Sequence, residues 1–179
     1  MTNPTAPIFL IGYRGTGKST VGRLLAERLD CESIDADDEI ERRAGKTIAA
    51  IFAADGEAAF RDLEAVVMVD LCRRTQLVIA PGGGAVLREA TRDAMQAAGP
   101  VVWLTAHIDT LAARLAADTA AGDRRPNLTA AGGRAEIEAV LAVRTPIYRA
   151  CATFVVDTEG KSPAEVADEI IARLPDQRE

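Results

Sequence analysis

Only one histidine, His107, occurs in the chain. It stands apart from any other chemistry-bearing residue and is expected on the surface or in a loop, so a general base would have to be a carboxylate. The three cysteines, Cys31, Cys72 and Cys151, are odd in number, far apart and without a C-x-x-C pair. That pattern suits reduced, buried thiols in a cytoplasmic protein better than disulfides or a metal site. No apolar run approaches the ~20 residues that a membrane span needs. The opening Met1–Pro7 stretch has neither a basic region nor a long apolar segment, so no secretory signal is expected. A net charge of −6 argues against general binding to nucleic acid or acidic membranes. An anionic ligand must therefore meet a local cluster of cations. With 179 residues, 48% of them hydrophobic, and no repeat or linker, the expectation is one domain (1–179) with a proper core, acting as a monomer.

The most informative stretch is Gly12-Tyr13-Arg14-Gly15-Thr16-Gly17-Lys18-Ser19-Thr20. It fits G-x-x-x-x-G-K-[ST], the loop whose backbone N–H groups wrap nucleotide phosphates. Glycines allow the positive φ angles that turn those N–H groups inward. Gly15, Thr16, Gly17, Lys18, Ser19 and Thr20 are the expected ATP contacts, with Lys18 near the β and γ phosphates and the Ser19 hydroxyl on Mg²⁺. Ile8–Ile11 before the loop reads as a buried strand, and Val21, Leu24, Leu25 and Leu29 after it follow helical spacing. The helix N-terminus adds its own partial positive charge.

Further on, strand-like segments at 32–35, 77–80, 101–104 and 153–157 alternate with helical ones. A polar helix ends near Gly45, and a turn at Asp55-Gly56 precedes a long helix from about Glu57. Other helices are expected at about 87–98, 109–117, from Ile137 up to Pro146, and after the Ser162-Pro163-Ala164-Glu165 capping box. Trp103, inside an apolar run, is expected in the core. The fold class is thus α/β, a three-layer sandwich of P-loop kinase type with a five-stranded, mostly parallel sheet and helices on both faces. Ligands of such sheets gather beyond the carboxyl ends of the strands. The phosphate loop, Asp35-Ala36-Asp37 and Gly82-Gly83-Gly84 all fall there. Asp157-Thr158-Glu159-Gly160 fits the GTPase D-x-x-G pattern but follows the last strand, and N-K-x-D is absent. The strand ending at Ala80 runs into proline and glycine instead of an acid, so Asp35 becomes the natural metal carboxylate. The chemistry points to a small phosphotransferase.

Nearly the whole chain resembles the shikimate kinase family. The resemblance rests on GYRGTGKST at 12–20, DAD at 35–37, I-F-x-x-x-G-E-x-x-F-R-x-x-E from Ile51 to Glu64, GGG at 82–84, R-P at 125–126, R-T-P-I-Y at 144–148, and V-D-T followed by S-P at 156–163. It implies ATP-dependent phosphorylation of the shikimate 3-hydroxyl, with Mg²⁺, in aromatic amino acid biosynthesis in the cytoplasm. By the same resemblance Arg61 and Arg144 hold the substrate carboxylate, and Asp37 grips hydroxyls and accepts a proton. Asp35 lies near Mg²⁺, Gly82, Gly83 and Gly84 approach the ring, Arg114 stacks on adenine, and Arg125 reaches the phosphates from a lid at about 118–133. The substrate region is about 35–64. Plainer uses exist for several of these: a helix ion pair with Glu57 and Glu64 for Arg61, a helix C-terminus for Arg144, a helix N-cap cluster for the aspartates, a tight turn for the glycines, and a solvated helix position for Arg114. Arg124 competes with Arg125. The lid is longer than in many members, and Asn127 replaces the leucine common after R-P. The alternatives are a kinase for another small hydroxy acid such as gluconate, or a non-catalytic ATP-binding module.

Overall fold

A computed structural model describes residues 4–117 and 133–175. Five strands, β1 (Ile8–Ile11), β2 (Glu32–Asp35), β3 (Leu77–Ala80), β4 (Val101–Thr105) and β5 (Phe154–Asp157), form one sheet in the order β2-β3-β1-β4-β5. Every pairing is parallel, with Phe9 beside Ile79 and Val101, and Asp35 beside Ala80. The helices are α1 (Lys18–Arg28), α2 (Ala36–Ala44), α3 (Ile48–Cys72), α4 (Glu89–Ala98), α5 (Ile108–Ala117), α6 (Gly133–Cys151) and α7 (Pro163–Arg173). A 3-10 turn at Ala85–Leu87 precedes α4 where a helix starting near Leu87 was expected.

The period-two alternation of strand side chains sorts the core into two layers. Phe9, Ile11, Ile79 and Trp103 pack with residues of α2, α3, α4 and α6. Ile8, Leu10, Val78, Val102 and Leu104 pack with α1 and α7. Trp103 is buried as expected and stacks on Tyr148 with ring centroids 5.7 Å apart. The inner strands β1 and β3 are buried at every position, whereas edge strand β2 is half-exposed. The connection leaving β1 runs toward β2 and that leaving β4 toward β5, so their carboxyl ends diverge and open a crevice. His107 is exposed, and the three cysteines are free. Burial pushes the Cys72 and Cys151 thiols up to about 11. Among the described residues no helix is long and apolar enough to cross a membrane.

Local sequence sets the helix ends. Asp35 caps α2 by accepting the Asp37 N–H, and Gly45 closes it in the left-handed conformation. Acids in the first turn of α2 and Arg42 and Arg43 in the last complement the helix dipole. α3 breaks at Gly56 (φ 81°, ψ 174°), the turn expected at Asp55-Gly56. Ser162 and Glu165 form the full capping box of α7 with Pro163 at its start. One boundary departs from expectation. α6 runs through Pro146 to Cys151, so Arg144 lies inside a helix and not at its end. Proline costs a helix one N–H and a clash with the preceding turn, but Tyr148 and Cys151 beyond it are buried, and that apolar burial carries the helix on.

The segment before β1 is pinned at Gly99, where a Cβ would lie 2.1 Å from the Pro7 carbonyl oxygen. Gly99→Ala is expected to cost about 1–3 kcal/mol of overpacking. At roughly 2–4 °C per kcal/mol for a chain of this size, a melting curve followed by circular dichroism reads the drop directly; an unchanged Tm would mean that Pro7 is not held against this turn.

Candidate active site

The loop between β1 and α1 has its three glycines at positive φ: Gly12 at 142°, Gly15 at 82° and Gly17 at 90°. At Gly12 a Cβ would also lie 2.5 Å from the Leu104 carbonyl oxygen, so both conformation and close approach to β4 require glycine there. Thr16, buried, closes the loop by donating its hydroxyl to the Tyr13 carbonyl at 2.8 Å. Lys18 folds back over it and donates to the carbonyls of Gly12 (2.9 Å) and Tyr13 (3.0 Å). Ser19 and Thr20 follow in the exposed first turn of α1. The loop therefore presents N–H groups, an ammonium and a helix N-terminus on one side, the setting for a polyphosphate.

Beside it, the Ser19 hydroxyl donates to Asp35 Oδ2 at 2.5 Å. Asp35 Oδ1 accepts the Asp37 N–H at 3.0 Å, placing the half-buried Asp37 in the first turn of α2. A hydroxyl and a carboxylate oxygen converging on one point are hard donors of the kind Mg²⁺ takes. That ion usually keeps waters and phosphate oxygens for its remaining positions. Asp35 is thus the helix cap that was expected, and its other carboxylate oxygen meets the Ser19 hydroxyl.

The Gly82-Gly83-Gly84 turn leaves the carboxyl end of β3 and joins the two halves of the site. A Cβ on Gly83 would meet the Gly12 carbonyl at 3.2 Å, the Tyr148 hydroxyl at 3.4 Å and Arg144 Nη1 at 3.6 Å. A Cβ on Gly84 would strike Arg61 Nη1 at 2.6 Å. Arg61 and Arg144 therefore flank a backbone turn that itself abuts the phosphate loop. Arg61 does form the helix ion pairs that its spacing allows, to Glu64 at 2.7 Å and Glu57 at 3.4 Å. It also lies 5.1 Å over the Phe60 ring. Arg144 is only 9% exposed and makes no ion pair among the described residues. A guanidinium so placed, with no carboxylate paired to it among the described residues, is suited to meeting an anion. Arg114 donates to the carbonyls of Gly15 and Thr158, both at 3.2 Å, and to the Thr158 hydroxyl at 3.1 Å. It stands against the phosphate loop. Arg124, Arg125 and the segment from about 118 lie outside the described residues up to Gly133.

Three participants are given no role from the sequence, although Tyr148 and Thr158 fall within the R-T-P-I-Y and V-D-T stretches. Tyr148 donates to the Gly83 carbonyl at 2.6 Å. It stands four residues after Arg144, on the same helix face, a relation legible only once the helix is known to pass Pro146. Thr158 holds Arg114, and Arg88 bonds Asp62 at 2.7 Å and the Arg61 carbonyl at 3.3 Å, tying the 3-10 turn to α3.

A parallel sheet of this order, a glycine cradle after its first strand and an acid after its second are the arrangement of a P-loop kinase. The family model for shikimate kinase matches residues 14–175. A shikimate kinase of Rhodopirellula baltica is 46% identical over 168 residues, 94% of this chain and 90% of that protein. Shikimate kinase from Acinetobacter baumannii, solved in complex with shikimate, superposes with a TM-score of 0.87 at 36% identity, over 94% of this chain and 92% of that one. A gluconokinase from Sinorhizobium meliloti, 19% identical with a TM-score of 0.56 over 96% of this chain and 92% of its own, shares the fold alone. The chain belongs to the shikimate kinase family, ATP-dependent transferases.

Tyr148→Phe removes the hydroxyl that donates to the Gly83 carbonyl. Stability is expected to fall by about 1–2 kcal/mol, the cost of a half-buried acceptor losing this donor. Hydrogen exchange at the amides of 83–85 should accelerate at the same time; unchanged exchange there would mean that Tyr148 does not hold the turn.

Proposed function

We propose that this chain transfers the γ-phosphoryl group of ATP to the 3-hydroxyl of shikimate, giving shikimate 3-phosphate and ADP, as a monomeric, single-domain cytoplasmic enzyme. The observation that carries the reading is the pairing of a buried guanidinium at Arg144, with no acid partner among the described residues, with Arg61 across one glycine turn from the phosphate cradle. Two forked cations suit a carboxylate, which accepts parallel N–H bonds from each. They stand beside the cradle, so a small hydroxylated acid held by them would place a hydroxyl toward the phosphates.

The residues divide the work. Gly15, Gly17 and the first turn of α1 aim N–H groups at the phosphates, and Lys18 can leave its two loop carbonyls to follow the charge that shifts during transfer. Mg²⁺, held through Ser19 and Asp35, would supply neutralisation of the phosphate oxygens. Asp37, next to Asp35 in the first turn of α2, is the group to take the hydroxyl proton, in keeping with a chain whose single histidine, His107, stands in the exposed loop after β4. Gly82–Gly84 let backbone approach the ring, and Arg114 borders the nucleotide side of the loop. Alignment and charge neutralisation do most of the catalysis.

Coupled ADP release, measured separately with shikimate, gluconate and nucleoside monophosphates, tests the substrate. ADP is expected with shikimate, matched by shikimate 3-phosphate in a mass spectrum; turnover of another acceptor and none of shikimate would overturn it. Asp37→Asn should lower kcat by ~10²–10⁴-fold, the usual contribution of a positioned base, with nucleotide affinity little changed. Activity near that of the parent would remove Asp37 from proton transfer. Arg61→Ala should weaken shikimate binding by roughly 10–100-fold, the loss of charge-assisted hydrogen bonds worth ~1.5–3 kcal/mol, and affect ATP far less. Equal losses for both ligands in calorimetric titrations would refute the carboxylate assignment.

A further inference from the structure

Three consecutive residues at the tip of the phosphate loop are tied to the two helices α5 and α6. Tyr13, 1% exposed, is packed in an apolar cluster with Leu111 of α5 and Ile137 of α6. Arg14 forms an ion pair with Glu136, whose side chain is completely buried in the first turn of α6. Gly15 offers its carbonyl to Arg114 of α5. The helix that holds Arg14 through Glu136 then continues to Arg144 and Tyr148, which contact the Gly83 turn. Eight residues separate Glu136 from Arg144, roughly 12 Å of helix at ~1.5 Å per residue. One rigid element thus grips the nucleotide side of the site at its start and the acceptor side farther along.

Stability alone does not call for a charge at residue 136. A buried ion pair recovers little more than its desolvation, and an apolar pair of similar volume commonly serves the fold as well. What a charge pair adds is a single geometry: the guanidinium has to meet the carboxylate, and the loop can take only the position in which it does. We propose that Glu136 is a positioning residue for phosphoryl transfer, fixing the phosphate loop through Arg14 to the helix that carries Arg144, so that α6 sets the spacing between nucleotide and acceptor. The inference rests on the phosphotransfer reading above. In-line transfer is sensitive to such spacing, since a displacement of ~1 Å can cost on the order of 10²-fold in rate.

The test compares the parent with Glu136→Gln and with the paired apolar variant Arg14→Met/Glu136→Leu, using purified full-length protein, ATP and shikimate. Glu136→Gln is expected to lower Tm, because it removes the buried acid that the partly buried Arg14 guanidinium meets, while the paired variant melts near the parent. Both should lose about 10–100-fold in kcat with KM for shikimate little changed, and both should release more ADP than shikimate 3-phosphate as misaligned phosphoryl groups go to water. A paired variant that melts near the parent and matches its kcat, with one ADP per product, would overturn the proposal and leave the pair a purely structural contact. Should the paired variant not fold, Arg14→Lys decides, since it keeps a cation beside Glu136: coupling restored above that of Glu136→Gln supports the positioning role, and an equal loss refutes it. A parent that makes no shikimate 3-phosphate at all would instead remove the phosphotransfer reading, whatever the variants do.

Discussion

The site depends on two backbone turns coming closer together than side chains would allow. Gly12 lies against the Leu104 carbonyl of β4, and Gly83 lies against the Gly12 carbonyl. These approaches join the ends of β4, β1 and β3 at one rim of the sheet, and everything charged is arranged around them. A methyl group at Gly12 would meet the β4 carbonyl well inside contact distance, and a positive φ of 142° penalises any side chain there in addition. The parallel sheet makes the approach possible: strands buried on both faces leave only their ends for chemistry, and the divergence of the connections after β1 and β4 opens the space.

Charge is concentrated at that rim against the trend of the whole molecule. The net charge of −6 disfavours anions at long range, yet Lys18, Arg14, Arg61, Arg114 and Arg144 are gathered about two turns. Most of them are held by local acceptors: Lys18 by two loop carbonyls, Arg114 by Gly15 and Thr158, Arg14 by Glu136, Arg61 by Glu57 and Glu64. Arg144 is the exception among the described residues. Holding a cation in place before a ligand arrives reduces the side-chain freedom lost on binding. Carbonyl partners, such as those of Arg114, achieve this without neutralising the charge as a tight carboxylate pair would.

Local patterns in the sequence are enough to find most of this rim. The phosphate loop was legible because its chemistry is backbone chemistry, written in consecutive residues between a strand and a helix. Asp35 and Asp37 were legible because a strand end and a helix cap are both local. The α/β alternation, the Gly56 break and the capping box at Ser162 were read from spacing alone and stand as observed. α6 was read short because the rule applied to Pro146 is also local, while the burial of Tyr148 and Cys151 that overrides it belongs to the packed sheet. For Arg61 spacing gave the helix ion pair and the family resemblance a substrate contact: the pairs with Glu57 and Glu64 are present, and the same side chain lies against Gly84.

Residues that act through partners far along the chain leave no such trace. Arg14 and Glu136 stand 122 positions apart, and neither has a neighbour in sequence that marks it for the other. Glu136 by itself reads as an acid in a helix first turn, favourable for the dipole and usually solvated; here its side chain has no exposure at all. The difference is tertiary, because α5 and α6 close around Tyr13 and bring the start of α6 onto the loop. A helix that must bury an acid at one end and, eight residues later, an arginine with no acid partner among the described residues bears two costs that an apolar stripe would avoid. Both charges lie where the helix meets the two glycine turns, and that coincidence is accounted for by a requirement on the spacing of those turns, not by the stability of the helix.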